Sequence, residues 1–465
     1  MGYDYTMGSR SINDPIVRVG GQLLSHCDEP APSGSLVRYA AIIDAGSSGS
    51  RMHIYKFSYC TQYPQVESEA TLKVKPGLSS NASDPEAAAR SLDPLLAFAL
   101  KTVPPAYHLS TPIALKATAG LRMLRRDQRD AIIAAVKRRI STVMPFPLAK
   151  HNPVEVMSGR DEAAFGWLAI NILTGALSPE NPGSNAASNV FDLGGASTQF
   201  TFQKPEHLDI PNNYTGVIKA NGKKYTLYEH SYLGYGVFEF LNRVYGHLAD
   251  SAPPNASSVS SPCFPEWLNT NIPPSTSTPR HLRVNITGTH GHGGEDDSHN
   301  FEQCYIVVKK AMGLHAPCPQ GSCSFDGVYQ PDLDLALKHN TTYLLSYFYK
   351  HASPFGLATG FQTHEAQNLA VKVCRHNSTQ FKDDENEGNE DLEELLKDPN
   401  VCPVLTYIVA LLKNGMRFPP YHSFVAAEKI HGFHASWTLG VAVDILQHDY
   451  YYRRRGIGPG LVNWL

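Results

Sequence analysis

Two stretches of the chain share one pattern of apolar and polar positions. The sequence reads IIDAGSSGSR at 42–51 and VFDLGGASTQF at 190–200. In each stretch an apolar run ends in aspartate, and glycine and hydroxyl residues follow before the chain becomes apolar again. A short apolar run bounded by turn residues is typical of a buried strand. The pattern therefore predicts two strand–turn–strand units, each with an aspartate where its first strand ends.

Apolar positions repeat with a helical period in three other segments. These segments are 84–103, 125–140 and 158–175. The last of them begins with a predicted capping box, in which Ser158 is the N-cap and Asp161 stands three residues later. A buried strand is predicted within 111–124, and it breaks at Thr118. Strands that alternate with helices predict an α/β architecture.

The length and composition are those of a globular protein with more than one core. At 465 residues the chain is too long for one ordinary core, so we expect two domains. The net charge of −3 gives no reason to expect a nucleic-acid partner. The longest apolar run, VLTYIVALL at 404–412, is much shorter than the ~20 residues that cross a bilayer.

Glycosylation sequons and cysteines point to the secretory pathway. Six N-x-S/T sequons are present, at Asn81, Asn213, Asn255, Asn285, Asn340 and Asn377. The eight cysteines suggest the pairs Cys318/Cys323, Cys263/Cys304 and Cys374/Cys402 and leave Cys27 and Cys60, although spacing alone does not decide connectivity. The first 37 residues contain no signal pattern. We therefore expect that the natural N-terminus differs from this one and carries a membrane anchor.

Several polar segments are interpreted as surface loops. The segment 253–280 is rich in proline, serine and threonine, and 383–394 has eight acidic residues in twelve. The stretch HGHGGEDDSH at 290–299 has the composition of a metal site, but no regular element is predicted there to fix the ligands, which favours a loop. The residues 451–465 form a basic and aromatic tail.

The two glycine-rich turns have the chemistry of phosphate-binding loops. Consecutive backbone N–H groups in such a turn form a concave anion site, and glycine lets a phosphate approach the main chain. Four hydroxyls add donors, those of Ser47, Ser48, Ser197 and Thr198. The aspartates at the strand ends, Asp44 and Asp192, repel a phosphate and therefore require a divalent cation between them and it. Two such loops predict the halves of a duplicated fold that face each other across a phosphate chain.

Four ordered motifs resemble conserved regions of the apyrase and nucleoside diphosphatase family. They are IIDAGSSGSRMHIY, ALKATAGLRML, SGRDEAAFGWLAIN and FDLGGASTQFTF, and HASWTLG at 434–440 is similar to a fifth. Finer features, such as KPGLSS at 75–80, look like the branch of Golgi guanosine diphosphatases. The resemblance implies the family's fold, a two-lobed, actin-like α/β fold of the duplicated ribonuclease-H-like type. Its active site lies in the cleft between the lobes.

The resemblance also implies a division of the chain. Lobe I would cover 38–160 and lobe II 161–427, and a C-terminal segment at 428–450 would return to lobe I. An irregular N-terminal segment at 1–37 and the tail at 451–465 would flank them.

The resemblance further implies a role for each motif residue. Asp44 and Asp192 would anchor a hydrated Ca²⁺, Mg²⁺ or Mn²⁺ ion. Contacts with the phosphates or the nucleotide are implied for Gly46, Ser47, Ser48, Gly194, Gly195, Ala196, Arg51 and Tyr349. Glu162 would be the general base, Ser197 and Gln199 would hold the attacking water, and Thr118 would contact the terminal phosphate.

Each of these residues also has a purely structural interpretation. Glu162 stands in the first turn of a helix, where the helix dipole favours acids whatever their function and would keep the carboxylate ionised. Thr118 would then be an ordinary turn hydroxyl, Arg51 a surface cation and Tyr349 a core residue. Arg160, two positions before Glu162, would lower the pKa of the base or bind phosphate.

The implied activity is metal-dependent hydrolysis of nucleoside diphosphates. GDP would be converted to GMP and phosphate in support of Golgi glycosylation, with UDP as a second candidate substrate. The implied location is the Golgi lumen, as a type II membrane protein anchored by a segment that precedes this chain. The alternatives are a broad-specificity apyrase acting on tri- and diphosphates, a kinase or chaperone-type ATPase of the same fold, and a non-catalytic nucleotide-binding protein. Phosphate release without an acceptor would separate the hydrolase from the kinase.

Overall fold

The structure is a computed structural model, and it describes most of the chain. The described residues are 18–19, 22–23, 37–59, 64–177, 187–253, 256–265, 268–271, 285–289, 299–337, 340–375 and 390–454. Several sequence features lie outside them, namely Cys27, Cys60, the sequons at Asn255 and Asn377, most of the histidine-rich and acidic segments, and the end of the tail.

The described residues contain short and long strands that pair into five sheets. In chain order the strands are β1 (Arg18–Val19), β2 (Gln22–Leu23), β3 (Val37–Ala45), β4 (Ser50–Ser58), β5 (Gln65–Val74), β6 (Ile113–Ala117), β7 (Val154–Val156), β8 (Asn189–Leu193), β9 (Ser197–Gln203), β10 (Thr215–Ala220), β11 (Lys223–Leu233), β12 (Ser258–Ser261), β13 (Asn269–Asn271), β14 (Asn285–Gly288), β15 (Thr342–Ser346), β16 (Thr359–Phe361), β17 (Phe424–Ala426), β18 (Lys429–Ile430) and β19 (Phe433–His434).

Helices cover the two large sheets. In chain order they are α1 (Pro85–Arg90), α2 (Asp93–Thr102), α3 (Ala119–Arg122), α4 (Arg126–Val143), α5 (Gly159–Leu173), α6 (Val237–Ser251), α7 (His299–Ala311), α8 (Leu333–Leu337), α9 (Tyr347–Ala352), α10 (Thr363–Cys374), α11 (Glu390–Lys397), α12 (Val401–Ala410) and α13 (Trp437–Arg454).

The two large sheets repeat one arrangement of strands. The first has the order β5-β4-β3-β6-β7, in which β5, β4 and β3 are antiparallel and β6 and β7 run parallel to β3. The second contains the order β11-β9-β8-β15-β17 with the same directions, and β10 and β16 extend its edges. This repetition confirms the predicted duplicated α/β fold. We call each sheet with its helices a lobe, lobe I for the first and lobe II for the second.

Strand β3 is apolar on both faces because each face is covered. Ile43 belongs to the core that includes α1, α2 and α4, whereas Ile42 belongs to a different core that contains residues of α5 and α13. Strands buried on both sides read as continuous apolar runs rather than as alternating ones. This explains why the first motif begins with an unbroken apolar stretch.

The last helix packs against lobe I. Helix α13 packs against β3 and β4 and also crosses α5. A Cβ atom on Gly440 would lie 2.3 Å from the carbonyl oxygen of Phe165, so only glycine allows this close crossing. The boundaries between the lobes remain predictions.

A buried cluster of two histidines and one glutamate connects the segment before α13 to lobe I. Nδ1 of His53 lies 2.6 Å from Oε1 of Glu69, and Nδ1 of His434 lies 3.0 Å from Oε2 of the same carboxylate. The backbone N–H of His434 also donates to Glu69, at 2.7 Å. We call these three residues the clasp, because they join β4 and β5 to the strand that precedes α13. Nothing in the sequence motifs indicated it.

Removal of the clasp carboxylate should destabilise the protein strongly. We expect Glu69→Ala to lower the free energy of unfolding by about 3–5 kcal/mol, since it leaves buried polar groups without their partner. The control is Glu67→Ala on the same strand. Glu67 forms a partly exposed ion pair with Lys56, and the loss of this pair should lower the free energy of unfolding by less than about 1 kcal/mol. Urea denaturation measures both losses. Equal losses in the two variants would show that the clasp stabilises the protein no more than a partly exposed ion pair does.

Three predicted disulfides are present in lobe II. They join Cys263 to Cys304, Cys318 to Cys323 and Cys374 to Cys402. Among the described residues no single helix is long and apolar enough to span a membrane. The helical segments Glu390–Lys397 and Val401–Gly415 reach that length only together, across a bend of 95°.

Candidate active site

Two turns with the same hydrogen bond stand at equivalent places in the two lobes. We call the turn between β3 and β4 loop A (46–49) and the turn between β8 and β9 loop B (194–196). The N–H of Gly46 donates to the carbonyl of Gly49 at 3.0 Å, and the N–H of Gly194 donates to the carbonyl of Ser197 at 3.0 Å. In the described part of the chain, the N–H groups of Ser47, Ser48, Gly195 and Ala196 make no hydrogen bond. Each loop therefore offers free donors of the kind that bind anions.

The two loops lie directly against each other. A Cβ atom on Gly195 would lie 2.5 Å from Oγ of Ser47, and one on Gly120 would lie 2.7 Å from the Cα of Ser47. Glycine at these two positions therefore lets loop A lie close to both neighbouring segments. The side chain of Tyr347, from lobe II, lies beside that of Ser48. The structure thus brings together the predicted phosphate-binding residues of both loops.

Asp44 and Asp192 stand at the two loops, and the charge of Asp192 acts on Asp44. Burial raises the pKa of Asp44 to about 6, and the nearby Asp192 adds to the rise, whereas Arg51 opposes it. Burial likewise raises the pKa of Asp192 to about 6, against a hydrogen bond from Ser346 that lowers it. Oδ1 of Asp192 is buried without a hydrogen-bond partner among the described residues. Hard divalent cations bind oxygen ligands, and two neighbouring carboxylates with one unsatisfied oxygen can supply them.

Glu162 lies in the first turn of α5, near both aspartates. Ser158 caps this helix, since its hydroxyl accepts from the N–H of Asp161 at 3.1 Å. Glu162 is 9% exposed and forms an ion pair with Arg122 of lobe I. Burial raises its pKa to about 7, helped by Asp192 and Asp44 and opposed by Arg122. Burial and the two like charges therefore act against the helix dipole, which favours the ionised carboxylate.

Ser197 and Gln199 form a hydrogen-bonded row beside Glu162. Nε2 of Gln199 donates to Oγ of Ser197 at 2.6 Å and to Oγ of Ser231 at 2.9 Å. Nη1 of Arg122 reaches the same Ser231 oxygen at 3.4 Å. The row therefore links the two predicted water-holding residues to Arg122, which pairs with the predicted base, Glu162. Ser231 and Arg122 were not identified from the sequence.

Thr118 stands where β6 passes into α3, and Ser346 holds the equivalent place after β15. Thr118 is buried, and its hydroxyl does not cap the helix, so it is available to a ligand. Ser346 has a backbone φ of 59°, a value that L-residues rarely adopt, and bonds to Asp192. The duplication thus places one hydroxyl residue beside each loop.

Arg160 is bonded to groups other than Glu162. Its Nε donates to Oε1 of Glu229 at 2.9 Å, and its Nη2 donates to the carbonyl oxygen of Thr215 at 2.5 Å. The arginine that contacts Glu162 is Arg122, from the other lobe. Sequence proximity therefore pointed to the wrong cation.

Two aromatic rings border the loops on the lobe II side. Phe238 lies against Gly195 of loop B, is 43% exposed, and meets Tyr347 edge-on with 5.2 Å between ring centroids. Tyr349 packs partly buried against the core of lobe II. The nucleotide contact assigned to Tyr349 stays a prediction, and the ring that contacts loop A is Tyr347.

The pH dependence of activity should report the contact between Arg122 and Glu162. A general base must be ionised, so kcat/KM should rise with pH through the ionisation of Glu162. Because Arg122 lowers that pKa, Arg122→Gln should move the rise to higher pH. Arg160→Gln is the matched control, since Arg160 pairs with Glu229. It should leave the rise of kcat/KM at the same pH. Equal shifts in the pH–rate profiles of both variants would contradict the assignment.

Comparison with known proteins identifies a family that spans nearly the whole chain. Residues 32–454 match the GDA1/CD39 (nucleoside phosphatase) family. A probable guanosine-diphosphatase of Aspergillus fumigatus is 33% identical, with 91% of this chain and 88% of that protein covered. The guanosine-diphosphatase of Saccharomyces cerevisiae is 34% identical over 89% of this chain and 81% of its own length. A nucleoside-diphosphatase of Caenorhabditis elegans is 33% identical, covering 87% and 81%.

A solved structure supports the fold. The crystal structure of nucleoside triphosphate hydrolases from Neospora caninum matches with a TM-score of 0.63 and covers 90% of this chain and 94% of that one. Its sequence identity is 15%, so the likeness concerns the fold alone.

Proposed function

Because this chain belongs to the GDA1/CD39 nucleoside phosphatase family, we propose that it removes the terminal phosphate of nucleoside diphosphates, converting GDP to GMP and phosphate. The observation that carries this proposal is the pair of facing loops, each with free N–H donors and an aspartate at its strand end. Relatives that are 33–34% identical and named guanosine-diphosphatases favour GDP over other nucleotides.

We propose a divalent cation, Ca²⁺, Mg²⁺ or Mn²⁺, as the cofactor. Asp44 and Asp192 would hold it, directly or through water, and Asp192 contributes the carboxylate oxygen that no described group satisfies. When bound, such an ion neutralises phosphate charge and favours attack at phosphorus.

The residues of the chain divide the remaining work. The free N–H groups of loops A and B would cradle the phosphates, and the Thr118 hydroxyl would contact the terminal one. Ser197 and Gln199 would hold the attacking water, and Glu162 would accept its proton, because phosphoryl transfer to water needs an oriented nucleophile and a base. Phe238 offers an exposed ring beside the loops on which a purine can stack.

We further propose that the protein acts in the lumen of the secretory pathway, at the Golgi. The three disulfides of lobe II suit an oxidising compartment, and the sequon residue Asn213 is exposed. A type II membrane anchor would then stand on the N-terminal side of this chain.

The test is phosphate release from GDP, UDP, ADP, GTP and ATP with each of the three cations in turn. We expect release from GDP and UDP without any acceptor, and loss of release when the cations are chelated. Faster release from the triphosphates would favour the broad-specificity apyrase instead. Release only in the presence of a phosphate acceptor would support a kinase and contradict the proposal.

A further inference from the structure

Lys73 is a cation beside loop A that has no ion-pair partner among the described residues. Its side chain lies along the loop, since a Cβ atom on Gly49 would lie 3.4 Å from Cε of Lys73. Its charged neighbours are the cations Arg51, Lys75 and Lys350 and a single carboxylate, Asp44. Asp44 is already engaged by the proposed metal site. Positive charges gathered in a cleft attract an anion that the chain itself does not supply.

The strand register places Lys73 in a row with the active site. Asp44, Arg51 and Lys73 lie directly opposite one another on β3, β4 and β5. Residues directly opposite on neighbouring strands share a face of the sheet, with the strands about 4.8 Å apart. The row therefore runs from the proposed metal ligand outwards along loop A.

The duplicated fold supplies the counterpart of this row in lobe II. There the residues directly opposite one another are Asp192, Gln199 and Ser231, on β8, β9 and β11. This second row is uncharged beyond its aspartate and is internally hydrogen-bonded, as suits residues that hold a water. The corresponding row of lobe I carries two positive charges instead.

The two rows are close at their aspartates, since the charge of Asp192 acts on Asp44, and the loops beside them are in contact, with Ser47 against Gly195. In phosphoryl transfer the attacking and leaving oxygens lie roughly in line on opposite sides of phosphorus. If lobe II places the water on one side, lobe I borders the other side, where negative charge accumulates on the group that leaves.

We propose that Lys73, together with Arg51, stabilises the leaving group of the reaction, which is the nucleoside monophosphate. This proposal rests on the nucleoside diphosphatase function proposed above. The water oxygen bonds to the terminal phosphorus, and the proton of the water passes to Glu162. The bond between that phosphorus and the bridging oxygen breaks, and its electron pair stays on the bridging oxygen. This oxygen becomes part of the nucleoside monophosphate, whose added negative charge Lys73 and Arg51 neutralise.

The test compares Lys73→Met and Lys73→Arg with Lys56→Met, a surface control on β4 that lies outside the site. For Lys73→Met we expect kcat for GDP to fall about 100-fold, as for loss of one transition-state donor. Binding of α,β-methylene GDP, which is not hydrolysed, should weaken by less than about tenfold. Lys73→Arg should recover most of the lost rate because it restores the charge.

Two results would overturn the inference. They are an unchanged kcat in Lys73→Met, whether or not KM is raised, and no recovery of the rate in Lys73→Arg. If Lys73→Met does not fold, as thermal unfolding would show, Arg51→Met undergoes the same comparison and must lose kcat. Absence of phosphate release from any nucleoside diphosphate by the wild-type chain would instead contradict the proposed function itself.

Discussion

Asp192→Asn and Asp44→Asn are each expected to lower turnover of GDP by about 10³-fold or more. Asparagine keeps the size of the side chain but removes the charge that holds the proposed cation, and a bound metal supplies several kcal/mol of transition-state stabilisation. Asp192 should be the more sensitive of the two positions, since its Oδ1 has no other described partner. Calorimetry with Mn²⁺ and steady-state phosphate release measure binding and turnover on the same preparation.

The matched control is Asp130→Asn, which changes an exposed aspartate of α4 in lobe I. It should retain both metal affinity and rate. A site variant that binds Mn²⁺ as tightly as the wild type would remove these aspartates from the metal site. Wild-type activity that survives thorough chelation would remove the metal from the mechanism.

Glu162→Gln should reduce kcat by about 10²–10⁴-fold, the usual contribution of a general base. Glutamine preserves the shape of the side chain but cannot accept the proton of the water. Binding of α,β-methylene GDP should change little, since it depends on the loops and the cation. The loss of the ion pair with Arg122 is a separate effect. Arg122→Gln measures that effect, and its loss of kcat should be smaller.

Asp161→Asn provides the neighbouring control for this variant. Asp161 is an exposed residue of the same helical turn and bonds to the Ser158 hydroxyl at 2.7 Å. Its replacement should leave kcat nearly unchanged. Near-wild-type hydrolysis by Glu162→Gln would place the base elsewhere. Loss of analogue binding together with turnover would indicate that Glu162 has a structural role at the start of α5.

The fold and the two loops could be predicted because their signals are local in sequence. The strand, the aspartate, the glycines and the hydroxyl residues of each loop lie within about a dozen positions. Each glycine-rich turn by itself is typical of an anion site, and two such turns predicted loops that face each other across one phosphate chain. The structure adds the reason why Gly195 carries no side chain, which is the Ser47 hydroxyl of the other lobe.

The sequence missed residues whose partners are distant in the chain. Arg122 and Glu162 are 40 positions apart, and Arg122 and Ser231 are 109 apart. Arg160 was expected to act on Glu162 but does not contact it, because positions two apart on a helix do not face each other. The raised pKa of Glu162 depends on burial and on two carboxylates from other segments, and neither is visible from the first turn of a helix.

The return of α13 to lobe I has a consequence for how the chain is made. Strands β3 and β4 leave the ribosome early, yet the face that carries Ile42 and Tyr55 is covered by residues of α13, such as Leu439 and Val443. The hydrogen bonds between Glu69 and His434 likewise form only after His434 has been synthesised. The first lobe therefore cannot finish folding during translation until nearly all of the second has been synthesised. An apolar surface stays open throughout that interval, at the stage when a nascent protein most needs chaperones.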